Sequence, residues 1–274
     1  MSVQKVVLIT GASSGIGKDT AIQLIKEGHT VYGAARRVDK MNDLVELGGH
    51  ALAMDVTDEA QMKAGVEKIV AEQGQIDVLV NNAGYAVYGA VEDISIEDAR
   101  RQFEVNIFGL AGLTQLVLPH MRQAKSGKII NISSMGGKMY TPLGAWYHAT
   151  KHALEGWSDC LRLELKQFGV DVVVIEPGAI ITEFGDVMYQ PMLERSKNSP
   201  YEKMAKSVAK STDDMYKKGG GSPTSVISNL ISKAIGAKKP KTRYVAGKFA
   251  KPMLFIRKYF GDKIFDSIIM SQVK

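Results

Sequence analysis

Apolar positions first gather in Val6-Val-Leu-Ile-Thr10, which runs into a glycine-rich turn and then into a segment where Ile16, Ile22, Leu24 and Ile25 recur at helical intervals. That order reads as strand, turn and helix. The alternation continues, with strand-like runs near 30–35, 51–54, 77–81, 128–132 and 171–176 and helical periodicity near 58–73, 97–123 and 145–168. Lys128-Ile-Ile-Asn-Ile132 and Val170-Asp-Val-Val-Val-Ile175 are mostly apolar, as strands buried on both faces should be. Parallel neighbours need crossover connections, so the pattern predicts one α/β domain built on a doubly wound parallel sheet.

From about 184 to 225 the pattern loosens. Met188, Tyr189, Met192, Leu193, Met204, Met215 and Tyr216 are spread among polar residues up to Gly219-Gly-Gly221, which predicts a mobile, apolar-lined lid. A helix near 223–235, a strand near 243–246 and a last helical segment near 252–270 follow. The organisation expected is one domain over 1–248, with 249–274 as a basic amphipathic extension.

With 274 residues and 45% hydrophobic composition the chain can bury one large core. Cys160 is its one cysteine, which excludes an intrachain disulfide and is expected to be a free core thiol in a reducing compartment. The apolar run Val6 to Ile9 is far too short for a signal peptide or a membrane span, so a cytoplasmic location is expected.

The net charge of +6 is unevenly placed. Residues 233–263 hold ten Lys or Arg against one acid, Asp262, which leaves the rest of the chain slightly acidic. Within that stretch Met253, Ile256, Phe260, Ile264 and Ile268 recur at helical intervals beside Lys251, Arg257, Lys258 and Lys263, with Gly261 interrupting. Such a segment can lie on an anionic membrane surface, or its apolar face can cover the chain's own pocket or a subunit contact. Nucleic acid is not expected, because no recognition motif accompanies the charge.

The glycine turn contains Gly11, Ser13, Ser14, Gly15, Ile16 and Gly17 between strand and helix. Glycines there admit a close approach of backbone to a pyrophosphate, and the free N–H groups and helix dipole make an anion site. The second strand ends without an acid and continues into Arg36-Arg37. A carboxylate at that point would hydrogen-bond an adenosine ribose, whereas a guanidinium accommodates a 2′-phosphate, so NADP(H) is preferred over NAD(H). Asp39 is the nearest acid and could serve NAD(H) only if the loop were longer than it reads.

Tyr147 and Lys151 are four residues apart on a predicted helix, hence on one face. A nearby ammonium stabilises phenolate and should bring the tyrosine into acid or base service. Ser133 and Ser134 end the strand Lys128 to Ile132, where a hydroxyl can bond a substrate carbonyl. Asn106 sits inside an otherwise helical stretch, where an amide is not favoured by propensity, and could hold a water.

Together these residues resemble the short-chain dehydrogenase/reductase family over about 5–185. Thr10-Gly-Ala-Ser-Ser-Gly-Ile-Gly17 is similar to its nucleotide loop, Asp55-Val56 to its adenine contact, Asn81-Asn-Ala-Gly84 to its fourth-strand motif and Tyr147-His-Ala-Thr-Lys151 to its active-site motif. The resemblance implies a Rossmann fold and nucleotide contacts from Asn82, Ala83, Gly84, Pro177, Gly178, Ile180 and Thr182 as well as Tyr147 and Lys151. It also implies a catalytic tetrad of Asn106, Ser133, Tyr147 and Lys151, and no metal. Hydride would pass between the nicotinamide and the substrate carbon while Tyr147 transfers the proton; Ser133 would orient the carbonyl, Lys151 would bind ribose and lower the Tyr147 pKa, and Asn106 would anchor a relay water. His148 departs from the family's usual small residue and, by helical spacing, points away from Tyr147 in a structural role.

The overall look is similar to the hydroxysteroid and retinol dehydrogenase branch. Tyr85, Val87, Tyr88, Met139, Tyr140 and Leu143 are expected near the pocket, so the substrate expected is a small hydrophobic ketone or aldehyde or its alcohol. Alternatives are a 3-oxoacyl reductase, an epimerase or dehydratase of the same family, and a non-catalytic NADP(H)-binding sensor or scaffold. The family further implies a homodimer or homotetramer through the helices near 97–123 and 145–168.

Overall fold

The computed structural model describes residues 3–217, 219–271 and 273. Among them seven strands, β1 (Val6–Thr10), β2 (Thr30–Ala35), β3 (His50–Ala53), β4 (Val78–Asn81), β5 (Gly127–Ile132), β6 (Val170–Pro177) and β7 (Arg243–Ala246), form one sheet in the order β3-β2-β1-β4-β5-β6-β7. Every pairing is parallel. The chain builds outward from β1 through β2 to β3 and returns to add β4 on the other side of β1. The reversal opens a crevice at the carboxyl ends of β1 and β4, where such sheets bind ligands.

Between β1 and β6 the described crossovers carry α1 (Gly15–Lys26), the short α2 (Asn42–Glu46), α3 (Glu59–Gln73), α4 (Ile96–Phe103), α5 (Leu110–Ala124) and α6 (Ala145–Leu165). Beyond β6 come α7 (Phe184–Arg195), α8 (Glu202–Lys217), α9 (Ser225–Gly236), α10 (Ala250–Tyr259) and α11 (Gly261–Ser271). Alternation along β1 sends Val7 and Ile9 to one face, with Leu24 of α1 and Ile227 and Ile231 of α9. Val6 and Leu8 go to the other, with Ile69 of α3, Val117 of α5 and Leu161 of α6. Burial on both faces is why these strands read as unbroken apolar runs.

Lys128 ties two layers together. Its ammonium donates to the Ala234, Ile235 and Ala237 carbonyls at 2.9, 2.5 and 2.5 Å, satisfying the end of α9, where the helix dipole also favours a cation. Lys128→Met is therefore expected to cost about 2 kcal/mol and to lower Tm by about 4–8 °C in scanning calorimetry. An unchanged Tm would show that water replaces the ammonium at no cost.

Two expectations are corrected, and a third gains detail. The segment 184–225 is mostly helical: α7 and α8 pack Met188, Met192 and Ala205 onto Ala86, Tyr88, Ala90 and Leu143. Met204, Val208, Thr212 and Met215 recur three or four apart along α8, a helical stripe that the interleaved polar residues disguise. Cys160 is exposed, because Leu154, Ser158, Leu161 and Leu165 form the buried stripe of α6 and position 160 falls off it. The helix expected over 97–123 carries a wide π turn over Glu104–Gly109 between α4 and α5. The parts of these assignments on residues 1, 2, 218, 272 and 274 lie outside the described residues.

Candidate active site

The crevice is a cavity of about 1040 Å³. At one end the turn after β1 contributes Gly11, Ser13, Ser14, Gly15 and Ile16. Ser14 caps α1 in position but makes no side-chain cap bond, so the first-turn amides of this helix are left to the cavity. The Thr10 hydroxyl accepts from the amides of Asn82 and Ala83, both at 3.0 Å, and the Asn82 side chain donates to the Thr10 carbonyl at 2.9 Å. These bonds hold the ends of β1 and β4 together around the cavity floor. Gly17 does not line it. A Cβ there would fall on the Asn82 side-chain nitrogen and the Gly11 carbonyl, so its bareness serves close packing of helix on strand.

Arg36 and Arg37 line the same end, with Asp55 and Val56. The Asp55 carboxylate accepts the Thr57 amide at 3.0 Å and the Thr57 hydroxyl at 2.8 Å, with Arg36 at 4.0 Å. Burial pushes its pKa up, but those bonds and the arginine outweigh it and hold the carboxyl below its ordinary value. Asp39 lies in the short turn Val38–Met41, away from the cavity lining. The walls therefore fit a nicotinamide dinucleotide, with exposed guanidiniums, an uncapped helix start and a glycine turn with positive φ at Gly11.

Tyr147, Lys151, Ser133 and Ser134 also line the cavity, as do Gly84, Pro177, Gly178 and Ile180, while Asn82, Ala83 and Thr182 lie against the glycine turn. The Lys151 ammonium is buried, donates to the Ile132 carbonyl at 2.8 Å and lies 6.0 Å from the Tyr147 ring centroid. Burial lowers its pKa to about 8, against the opposing pull of Glu155. The Tyr147 phenol is pushed up, not down: burial dominates, and a hydrogen bond from the Ser134 hydroxyl opposes it. The effect expected of Lys151 on Tyr147 is thus outweighed by desolvation.

The structure brings Ser134, rather than Ser133, to the phenol. Ser133 points under α6, where its hydroxyl is buried without a hydrogen-bond partner among the described residues. Strand alternation carries the signal, since Ser133 falls on the same face as Ile129 and Asn131, the face that α6 covers. Asn106 does not line the cavity. Its side-chain oxygen accepts the Tyr85 amide at 3.1 Å, and its nitrogen donates to the Tyr85 carbonyl at 3.0 Å and to Thr150 at 3.1 Å. It joins the π turn to the active-site helix instead of facing solvent. His148 is structural: one ring nitrogen accepts the Thr141 amide at 3.0 Å and the other meets the Gly136 carbonyl at 2.9 Å, bracing the loop after β5.

Tyr85, Tyr88 and Met139 line the cavity, whereas Val87, Tyr140 and Leu143 do not. Tyr140 instead donates to Asp266 at 2.8 Å and meets the Phe265 ring edge to face. Other segments add to the wall, and of their residues Arg101, Phe249 and Ile269 have no counterpart in the sequence expectations. Arg101 of α4 joins the two arginines, Tyr189 and Tyr216 come from α7 and α8, and Phe249, Met253 and Ile269 come from the C-terminal extension. Each is distant in sequence from every motif.

Comparison with known proteins agrees with this geometry. Residues 5–191 match the family model described as short chain dehydrogenase. Similar curated proteins include a 3-ketodihydrosphingosine reductase of Bacteroides thetaiotaomicron, 44% identical over 182 residues and 66% of each chain. An NADPH-dependent 3-dehydrocapnine reductase of Ornithobacterium rhinotracheale is 36% identical over 94% of this chain and 95% of that one. Among solved structures, a short-chain dehydrogenase of Streptomyces avermitilis superposes with a TM-score of 0.77 at 32% identity, covering 98% of this chain and 95% of the other. The closed form of a serine dehydrogenase complexed with NADP+ gives 0.76 at 27% identity, over 90% and 96%.

Proposed function

The chain belongs to the short-chain dehydrogenase/reductase family, and from that premise we propose that it is an NADP(H)-dependent oxidoreductase interconverting a long-chain, hydrophobic ketone and its alcohol. The observation that carries this reading is the convergence of Tyr147, Ser134 and Lys151 on one cavity that also holds the glycine turn and two arginines.

When bound, NADP(H) supplies or accepts the hydride. The turn from Gly11 to Ile16 would hold its pyrophosphate, Arg36 and Arg37 its 2′-phosphate, Asp55 and Val56 its adenine, and Asn82 to Gly84, Pro177, Gly178, Ile180 and Thr182 its nicotinamide half. Ser134, in place of Ser133, bonds the substrate oxygen and orients it. Tyr147 stays a phenol because it is buried, which equips it to give its proton to that oxygen as carbonyl becomes alcohol. Lys151 holds positive charge beneath the phenol, and Asn106 positions α6 through Thr150 and the Tyr85 backbone. Gly17 acts through packing.

The substrate end is walled by Tyr88, Met139, Met188, Met215, Met253 and Ile269, which suits an alkyl chain better than a sugar. Two relatives carry names for reduction of a 3-keto or 3-dehydro group, and 3-ketodihydrosphingosine is a long-chain amino ketone. The helices α7 and α8 serve as the lid over this end. Exposed Phe108 and Leu163, in and beside α5 and α6, support a homo-oligomer. No described helix is long and apolar enough to cross a membrane; a cytoplasmic enzyme with peripheral membrane contact through 249–274 completes the reading.

Oxidation of NADPH and NADH followed with 3-ketodihydrosphingosine and with sugar ketones tests it. Turnover is expected with the long-chain ketone and NADPH, and Arg36→Ala should weaken NADPH about 10–100-fold while sparing NADH. A preference for NADH, or turnover confined to sugars, would overturn cofactor or substrate respectively.

A further inference from the structure

We propose that the outer face of α10 and α11 docks on an anionic lipid bilayer and that the enzyme draws its substrate from that surface; the second half rests on the long-chain reading above.

The two helices use their faces differently. Inward, Met253, Leu254, Ile256, Phe265 and Ile269 pack with Met135, Met139 and Tyr140, and Met253 and Ile269 also wall the cavity. Outward, Phe255, Tyr259, Phe260 and Ile264 are 57%, 62%, 50% and 48% exposed. The three rings form a group, with Phe255 at 4.9 Å from Tyr259 and 6.1 Å from Phe260 between centroids. Single exposed apolar residues are ordinary, but a contiguous aromatic group marks a docking surface. The alternatives open in the sequence, covering the pocket or meeting a partner, fall to opposite faces of one helix pair.

Charge selects the occupant. Lys251, Lys258 and Lys263 are exposed around the rings, and no carboxylate among the described residues lies within ion-pair distance of them. The two acids present are engaged: Asp262 pairs with Arg257 at 2.6 Å and Asp266 accepts from Tyr140 at 2.8 Å. Protein interfaces deplete lysine at their cores, whereas an anionic bilayer attracts it and takes aromatic rings at headgroup depth. Neither helix is long and apolar enough to span, so the pair lies on the surface.

The docking face is also the back of the substrate wall. Phe249, 40% exposed, lines the cavity just before α10, and the Val273 carbonyl beyond α11 accepts the Ser207 hydroxyl of α8 at 2.8 Å. An alkyl chain leaving the bilayer beside α10 would thus pass from lipid to apolar wall without crossing bulk water.

The test is sedimentation of the full chain with phosphatidylcholine vesicles, with and without phosphatidylglycerol. Binding is expected only with phosphatidylglycerol and should fall with salt. Lys251→Gln, Lys258→Gln and Lys263→Gln together should weaken it on the order of 100-fold. Phe255→Ser, Tyr259→Ser and Phe260→Ser together should abolish it. Neither triple variant touches the cavity lining, so NADPH oxidation with a short, water-soluble ketone should persist in both while turnover of a vesicle-borne long-chain ketone drops. If the aromatic variant also loses the soluble activity, the lysine variant decides. Absence of parent binding to anionic vesicles, unchanged binding in the lysine variant, or a parent oligomer that the aromatic variant dissociates would overturn the proposal. A parent that binds vesicles but reduces no long-chain ketone would sink the substrate reading and leave the docking face standing.

Discussion

Tyr147→Phe is expected to lower turnover by about 10³-fold while leaving NADPH affinity nearly unchanged. The ring stays in place beside Tyr88, 5.9 Å away, so packing survives and only the transferable proton is lost. Steady-state NADPH oxidation and fluorescence titration of bound NADPH separate the two quantities, and retained turnover would remove the mechanism. The pH profile adds a sign. Burial holds the Tyr147 phenol protonated, so the donor persists at neutral pH. The group that changes state first is Lys151, ammonium below a pKa of about 8 and neutral above it. For carbonyl reduction, kcat/KM should be flat below about pH 8 and fall as pH rises through it, by about tenfold per unit. A rise in that window would show that the neutral amine is the working form.

Ser134→Ala should lower kcat by about 10²–10³-fold, the loss seen when one donor to a developing oxyanion is removed. Ser133→Ala should stay within about threefold of the parent and be neutral or slightly stabilising, because it deletes a buried hydroxyl with no partner. Kinetics of the two variants side by side decide between adjacent serines, and the opposite ranking would return the carbonyl to Ser133.

Much of the site was legible because its chemistry is local. Gly11 to Ile16, Arg36-Arg37 and the Tyr147–Lys151 pair each occupy one turn or one helix face, and strand-turn-helix alternation is enough to place them at one sheet edge. The residues that were misplaced depend on neighbours far along the chain. Asn106 looked like a water holder until Tyr85 and Thr150 engaged its amide. Ser133 and Ser134 are adjacent in sequence, and their separation follows from where α6 lies over β5. Cys160 looked like core because cysteine usually is, but it sits off the buried stripe of its helix.

The sequence by itself determined a doubly wound parallel sheet and much of the chemistry of the cavity, since hydrophobic period, glycine turns and i,i+4 spacing act over a few residues. Tertiary structure decided which hydroxyl meets Tyr147, that burial raises rather than lowers its pKa, and that α7, α8, α10 and α11 close the substrate end. Desolvation and long-range packing are properties of the surroundings, and those surroundings are assembled from segments more than a hundred residues apart, such as Tyr140 and Asp266.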